Sequence, residues 1–203
     1  MLELVETEVA VGGVRLSLLR PPDAEALIDE ARFDVDEFLP YWAELWPSAL
    51  ALGEEVARRD PAGLRVVELG CGLGVPSLVA AARGARVFAT DWAEEAIELL
   101  RRNAERNGLR LETLLVDWRA PEPLLERAPF DLVLAADVLY ERRYVELLLE
   151  LLPTLGGEIL LADPGRPFTR TFVGQAEREW HVRAVTDRIY ELRRRTSMDP
   201  RHA

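Results

Sequence analysis

The sequence contains no lysine: all 25 basic residues among its 203 amino acids are arginines. It has one cysteine, Cys71, which excludes an intramolecular disulfide framework. No apolar run is long enough to span a bilayer, and the first ten residues, MLELVETEVA, lack the basic and apolar regions of a signal peptide. From these absences we expect a cytoplasmic protein.

Acidic residues outnumber basic ones, 36 to 25, so the net charge is −11. Binding to nucleic acid without sequence preference requires a basic face, so we expect no nucleic-acid partner. The only histidines, His181 and His202, are too few and too remote for a metal site, and we expect no metal. Hydrophobic residues at 49% and charged residues at 30% are globular values, and the length suits one domain with a small appendage.

The first 45 residues are interpreted as an N-terminal extension. Two short apolar stretches flank Gly12-Gly13 within residues 1–20, a pattern typical of a β-hairpin. An acidic stretch, PPDAEALIDEARFDVDEF, predicts a helix and a loop. Pro47 then predicts a helix that begins just after Trp46.

From residue 64 onward, short apolar runs alternate with helical patterns. The alternation predicts a parallel sheet covered on both faces, and two adjacent strands at the end predict an antiparallel hairpin. We therefore expect a Rossmann-like, doubly wound α/β domain over residues 46–197 and a tail at 198–203. The seven candidate strands are LRVVELG, ARVFATD, LRLETLLVD, FDLVLAADV, GEILLAD, HVRAVTD and RIYELRRR.

A glycine-rich loop follows the first of these strands, in VVELGCGLGVPS at residues 66–77. Ligands of doubly wound sheets bind at the carboxyl ends of the strands, so the position suits a binding loop. The dinucleotide fingerprint G-x-G-x-x-G requires a third glycine where this chain has Val75. The loop therefore predicts a ligand other than a dinucleotide.

Four acids, Glu68, Asp91, Asp117 and Asp137, lie at or near the ends of four successive strand candidates. Asp91 follows Gly70 by 21 positions, where nucleotide-binding folds place the acid that binds ribose hydroxyls. We expect the four carboxylates to line one rim of the sheet, to repel phosphate and to hold a cationic or hydrogen-bond-donating ligand.

The stretches PYWAELWPS, ELGCGLG, ATDW, VDW and ADVLY, in this order, resemble the class I, seven-strand S-adenosylmethionine-dependent methyltransferases. The resemblance covers about residues 40–195. Within that class the chain resembles the group of protein lysine methyltransferases that act on the electron-transfer flavoprotein beta subunit and on valosin-containing protein.

The resemblance implies a cofactor, S-adenosylmethionine, and the product S-adenosylhomocysteine. It implies that Gly70 and Gly72 approach the methionyl part, that Asp91 binds the ribose and that Trp118 stacks on adenine. Glu68 would orient the loop or the ammonium group of the cofactor. The full set of cofactor-binding residues expected is Trp46, Glu68, Gly70, Cys71, Gly72, Gly74, Asp91, Trp92, Asp117, Trp118 and Ala136.

The same group carries a D-x-x-Y motif beside the target amine, which assigns catalytic roles to Asp137 and Tyr140. The implied activity is methyl transfer to a lysine of a protein partner. Two alternatives stay open: a small-molecule N-methyltransferase, favoured by a closed aromatic pocket over an open acidic groove, and a cofactor-binding module that acts through protein contacts. Asp91 and Asp137 could also serve only as helix caps. The substrate, the number of methyl groups and the oligomeric state are not indicated.

Overall fold

The computed structural model describes residues 2–24, Leu27 and residues 40–195. Strands β1 (Val5–Val11) and β2 (Val14–Arg20) form the expected hairpin, and Gly12-Gly13 makes its turn at positive φ. Most of the stretch expected to form a helix and a loop, and the whole tail at 198–203, lie outside the described residues.

The remaining elements alternate as the sequence indicates. The further strands are β3 (Arg65–Leu69), β4 (Arg86–Asp91), β5 (Glu112–Leu115), β6 (Leu132–Ala136), β7 (Glu158–Ala162), β8 (Trp180–Ala184) and β9 (Ile189–Arg194). The helices are α1 (Pro47–Arg58), α2 (Val75–Ala82), α3 (Glu94–Arg106), α4 (Glu122–Leu125), α5 (Arg142–Leu155) and α6 (Pro167–Ala176). Helix α1 begins directly after Trp46, as predicted.

Strands β3–β9 form one sheet in the order β5-β4-β3-β6-β7-β9-β8. Strands β3 to β7 are parallel, and β9 pairs antiparallel with both β7 and β8, which confirms the doubly wound fold and the C-terminal hairpin. The strand order reverses between β3 and β6, because the chain leaves β5 at one edge and returns beside β3. A crevice at the carboxyl ends of β3 and β6 is where such a fold binds ligands.

Both faces of this sheet are buried. In β3, Val66 faces a cluster with Leu52 of α1, while the next residue, Val67, faces a cluster with Leu148 of α5 and Phe172 of α6. This alternation between two apolar layers explains why the strands read as continuous hydrophobic runs.

The N-terminal hairpin packs on α2 and α3 rather than extending the sheet. Leu16 and Leu18 join a buried cluster with Leu78 and Leu100. The only two asparagines of the chain tie α3 to the backbone of β2: the Asn103 amide bridges Leu19 N–H and C=O at 2.7 and 3.0 Å, and the Asn107 amide bridges those of Ser17 at 2.9 Å each. The hairpin thus covers one face of the domain.

Helices α4 and α6 were not predicted from the sequence, and β5 is shorter than the expected strand at 109–117. The Leu109 N–H donates to the carbonyl of Ala104, so residue 109 completes the turn after α3. Across residues 2–24, 27 and 40–195, no helix combines the length and apolar character needed to cross a membrane.

Candidate active site

The glycine loop after β3 is built from three glycines at positive φ, with 64° at Gly70, 50° at Gly72 and 72° at Gly74. A Cβ atom at Gly72 would lie 3.1 Å from the carbonyl oxygen of Trp42, and one at Gly74 would lie 2.3 Å from Leu100 Cδ1. Gly72 therefore permits close approach of the segment before α1, and Gly74 permits the packing of α3.

Asp91, the last residue of β4, holds this loop in place. One carboxylate oxygen accepts a hydrogen bond from Gly72 N–H at 2.9 Å, and the other accepts from Ala93 N–H at 3.0 Å. Burial raises the pKa of Asp91, and these two bonds oppose the rise. Helix α3 begins at Glu94 with Ala93 at its N-cap, so Asp91 is not its capping residue. Each oxygen keeps acceptor capacity for a further donor.

Glu68 fixes the other side of the loop. Its Oε2 accepts hydrogen bonds from Ser77 N–H, at 2.9 Å, and from the Ser77 hydroxyl. Burial raises the pKa of Glu68 to about 8, although the bonds from Ser77 oppose this. The carboxyl group is therefore largely protonated at neutral pH and joins β3 to α2. We call Glu68, the loop Gly70–Gly74 and Asp91 the inner half of the cleft.

Cys71 lies within the inner half and is buried. Its N–H donates to the carbonyl of Thr90 at 2.9 Å, and its side chain packs in the cluster of Val75 and Leu78. Burial raises the pKa of the thiol well above its usual value, which favours the unreactive protonated form.

Aromatic rings surround the mouth of the cleft. The ring centroids of Tyr41 and Tyr140 are 5.1 Å apart, those of Tyr140 and Tyr144 are 4.8 Å apart, and those of Trp118 and Tyr144 are 5.5 Å apart. Trp46 donates from its indole N–H to the carbonyl of Tyr41 at 2.8 Å. Burial raises the pKa of Tyr140, and the hydrogen bond between the Tyr140 and Tyr144 hydroxyls raises it further, so Tyr140 stays protonated.

Asp137 directly follows β6 and adopts a left-handed backbone with φ of 58°, which is strained for a residue with a side chain. Its Oδ1 accepts from Arg166 Nη2 at 3.0 Å and from Arg166 Nε at 3.3 Å. Its Oδ2 is buried and makes no hydrogen bond of standard geometry among the described residues, but the Ser48 hydroxyl, which is buried and lacks such a bond too, is near enough to act on this carboxyl. Burial raises the pKa of Asp137, while the nearby Ser48 hydroxyl and the Arg166 guanidinium oppose the rise.

The four predicted carboxyl groups line the cleft, and the acids at its mouth are paired with arginines, which reduces the net negative charge there. Two of the predicted acids and one neighbouring glutamate each pair with an arginine, at 2.5 to 3.0 Å. The pairs are Asp117–Arg119, Asp137–Arg166 and Glu141–Arg143. We call the mouth residues Trp46, Asp117, Trp118, Asp137, Tyr140, Tyr144 and Arg166 the outer half of the cleft.

All thirteen predicted site residues line this one cleft, including Trp92 and Ala136, whose functional roles stay predictions. The sequence reasoning missed Arg166 and Tyr144. Arg166 could have been found from its position, because it follows β7, which pairs with β6 and ends at the same edge. Among the described residues, no group of three or more acids, cysteines or histidines could hold a metal ion.

Curated proteins similar to this chain are methyltransferases. The chain is 34% identical over 136 residues to the electron transfer flavoprotein beta subunit lysine methyltransferase of Xenopus laevis, covering 63% of this chain and 53% of that protein. It is 33% identical over 112 residues to the histone-arginine methyltransferase METTL23 of Xenopus laevis, covering 52% and 48%. The chain thus spans about half the length of these relatives.

Two solved structures with the same fold are also methyltransferases. The 16S rRNA N2 G1207 methyltransferase RsmC of T. thermophilus superimposes with a TM-score of 0.66 at 19% identity, over 95% of this chain and 51% of that one. Magnesium protoporphyrin IX methyltransferase of Synechocystis gives a TM-score of 0.57 at 18% identity, over 85% and 98%. At these identities the likeness concerns the fold.

The family described as lysine methyltransferase matches residues 42–161, more than half of the chain. The matched segment runs from Trp42, before α1, into β7 and includes the glycine loop, Asp91 and Asp137. This chain belongs to the lysine methyltransferase family.

Proposed function

We propose that this chain is an S-adenosylmethionine-dependent N-methyltransferase that methylates a lysine side chain of another protein. The observation that carries the proposal is the placement of Asp137. Asp137 lines the cleft that the glycine loop also lines, and its Oδ2 is buried. In the described part of the chain, only the Ser48 hydroxyl acts on this carboxyl besides Arg166 and Asp163. A family whose members are described as lysine methyltransferases contains this segment.

The residues of the inner half, together with Trp118 of the outer half, fit the cofactor. Gly70 and Gly72 line the cleft without side chains, which suits close approach of a ligand to the backbone. Asp91 retains acceptor capacity for the ribose hydroxyls, and Trp118 offers a half-buried ring for adenine. The Glu68 carboxyl, committed through Oε2 to Ser77, fits the loop-orienting role better than a charge contact with the cofactor ammonium.

When bound, S-adenosylmethionine supplies a methyl group on a positive sulfur, and the N–C bond to the target forms as the C–S bond breaks, leaving S-adenosylhomocysteine. The chain must position a neutral amine for this displacement, since a lysine has an ordinary pKa of about 10.4. Asp137 Oδ2 can accept a hydrogen bond from that amine. The rings of Tyr41 and Tyr140 can pack against the aliphatic stem of the lysine.

The aromatic mouth also supports a second candidate, a small-molecule amine as the substrate. The charge-paired rim resembles a closed aromatic pocket more than an open acidic groove. A planar amine could pack against the exposed face of Tyr41 or Tyr140, whose rings contact each other at 5.1 Å, and reach the same carboxyl of Asp137. The cofactor site would be identical in both cases.

Transfer of labelled methyl groups distinguishes these candidates. The chain would be incubated with methyl-labelled S-adenosylmethionine in an extract of the cells that naturally make it, followed by a denaturing gel and a count of the small-molecule fraction. Because this chain contains no lysine, any methyllysine recovered after acid hydrolysis of the labelled band comes from another protein or from a lysine-bearing part outside this sequence.

We expect one labelled protein band that yields methyllysine. A band that yields methylarginine would show that the target residue is arginine instead of lysine. This outcome matters because one similar protein is named a histone-arginine methyltransferase. Label confined to the small-molecule fraction would overturn the protein substrate. We further propose a cytoplasmic location. We also propose that the chain has no nucleic-acid partner, because a net charge of −11 disfavours one.

A further inference from the structure

We propose that Arg166 is a positioning residue for methyl transfer: it holds one oxygen of Asp137 and leaves the other as the acceptor for the target amine. This inference rests on the proposed function. Arg166 contacts Asp137 through Oδ1 alone, at 3.0 and 3.3 Å, and the buried Oδ2 atom, near the Ser48 hydroxyl, makes no hydrogen bond of standard geometry in the described part of the chain and keeps acceptor capacity.

The backbone of Arg166 is fixed by a turn that follows β7. Asp163, which is 1% exposed, accepts hydrogen bonds from Gly165 N–H at 2.8 Å and Arg166 N–H at 2.7 Å, and also from the Thr169 hydroxyl. Arg166 is the N-cap of α6, which starts at Pro167. The turn therefore places the arginine where β7 and β6 end side by side.

The side chain of Arg166 is held by Trp46 and by Asp137. Its guanidinium lies over the ring of Trp46 at 5.4 Å, and 27% of the side chain is exposed. The two contacts with Asp137 restrain rotation of a carboxylate whose backbone is already strained at a φ of 58°. Such restraint keeps an acceptor in productive geometry before the substrate binds.

The charge of Arg166 also suits the chemistry. A lone carboxylate beside a lysine favours the ammonium form, which cannot attack a methyl group, whereas a nearby cation disfavours it. Asp137 paired with Arg166 can orient the amine through a hydrogen bond with less stabilisation of its protonated form. Two charged groups among the residues described act on the Asp137 carboxyl: Arg166 lowers its pKa, and Asp163 raises it.

The first test measures the Asp137 carboxyl itself and needs no substrate. Carbon-13 NMR of the aspartate carboxyl groups, with the Asp137 signal identified by its loss in Asp137→Asn, gives the pKa of this group. In Arg166→Met we expect that pKa to rise by about one unit, because an opposite charge in contact is removed. Arg166→Lys should restore most of the difference, and Arg170→Met, an exposed arginine of the same helix, should change nothing.

The second test follows methyl transfer to the band labelled in the cell extract. We expect Arg166→Met to lower the initial rate about tenfold or more at pH 7, to move the acidic limb of the pH profile upward with the Asp137 pKa, and to leave S-adenosylhomocysteine affinity unchanged. A rate that falls equally in Arg166→Lys and Arg166→Met with no change in the pH profile would indicate a purely structural role and overturn the inference.

The two tests separate the possible failures. If the wild-type chain labels nothing while the Asp137 pKa rises in Arg166→Met, the proposed function fails and the coupling of Arg166 to Asp137 stands. If the Asp137 pKa is the same in Arg166→Met and in the wild-type chain, the inference fails whatever the labelling shows.

Discussion

The inner and outer halves of the cleft satisfy their carboxyl groups in different ways. In the inner half, Glu68 and Asp91 are bound by backbone N–H groups and a serine hydroxyl. In the outer half, the long side chains of Arg119 and Arg166 bind Asp117 and Asp137, and the backbone N–H of Arg119 also donates to Asp117. Backbone donors move only with the main chain, whereas arginine side chains have several rotatable bonds.

The difference suggests a division of labour between a preformed part and an adjustable part. A rigid inner half suits a ligand that is the same in every reaction cycle, which we propose to be the cofactor. Apart from Trp118, which we propose for adenine, the outer half of aromatic rings and paired charges suits the substrate, which differs from one enzyme to another. Substitutions that affect one half and spare the other test this division.

The largest effect is expected from Asp137→Ala in the outer half. Loss of the acceptor that orients the amine should lower methyl transfer about a thousandfold, because positioning of the attacking group can supply several kcal/mol of the barrier. Initial rates of label transfer measure this. Asp131→Ala is the control, because Asp131 precedes β6 as Asp137 follows it, and it should keep the rate. Equal losses in the two variants would remove Asp137 from the mechanism.

The next effect concerns the stability of the inner half. The folded pKa of Glu68, about 8, exceeds its ordinary value of 4.5, so this group stabilises the fold fully below pH 4.5 and loses the contribution as the pH rises toward 8. Between pH 5 and pH 8, we expect the free energy of unfolding of the wild-type chain to fall by about 3 kcal/mol more than that of Glu68→Gln.

Denaturant unfolding at several pH values measures this difference. Glu94→Gln, at an exposed acid in the first turn of α3, should follow the wild-type chain at every pH. Parallel curves for the wild-type chain and Glu68→Gln would contradict the protonated state of Glu68.

A smaller effect is expected from Gly72→Ala. The added Cβ atom must tolerate a φ of 50° and a contact of 3.1 Å with the Trp42 carbonyl, so stability should fall by about 1 kcal/mol and S-adenosylhomocysteine affinity about tenfold. Gly84 also has a positive φ, 86°, but lies outside the cleft. Gly84→Ala should therefore lower the free energy of unfolding and leave S-adenosylhomocysteine affinity unchanged. Calorimetric titration of both variants shows whether the loss of affinity is specific to the loop.

The smallest effect is expected from Arg143→Gln. The Arg143–Glu141 pair is at the exposed rim, so unfolding free energy should change by less than about 0.5 kcal/mol. Label transfer should stay within a factor of about three, because the pair does not touch the Asp137 carboxyl. A loss above tenfold would show that the rim contributes directly to substrate binding.

Much of the fold could be predicted because each central strand is an apolar run bounded by glycine, proline or a charged residue. Helix α6 was missed because PFTRTFVGQA contains two threonines and Gly174, which are weak helix formers. Its place is set by the buried Phe172 and by the turn at Asp163. Helix α4 spans only four residues, too few for a periodic pattern.

The candidate site was predictable to the same extent. Acids at strand ends are visible in the sequence, and so Asp91 and Asp137 were found. The partner of Asp137 was not, because Arg166 is 29 residues away and meets it only through the pairing of β6 with β7. The raised pKa of Glu68 also depends on burial that a sequence pattern does not give.

The division into two halves is tested most directly by the affinity of Asp137→Ala for S-adenosylhomocysteine, measured by titration calorimetry beside the wild-type chain. The account predicts dissociation constants that agree within about threefold, a difference below 1 kcal/mol, while methyl transfer is lost. A dissociation constant more than tenfold weaker in Asp137→Ala would contradict it, because Asp137 would then belong to the cofactor site.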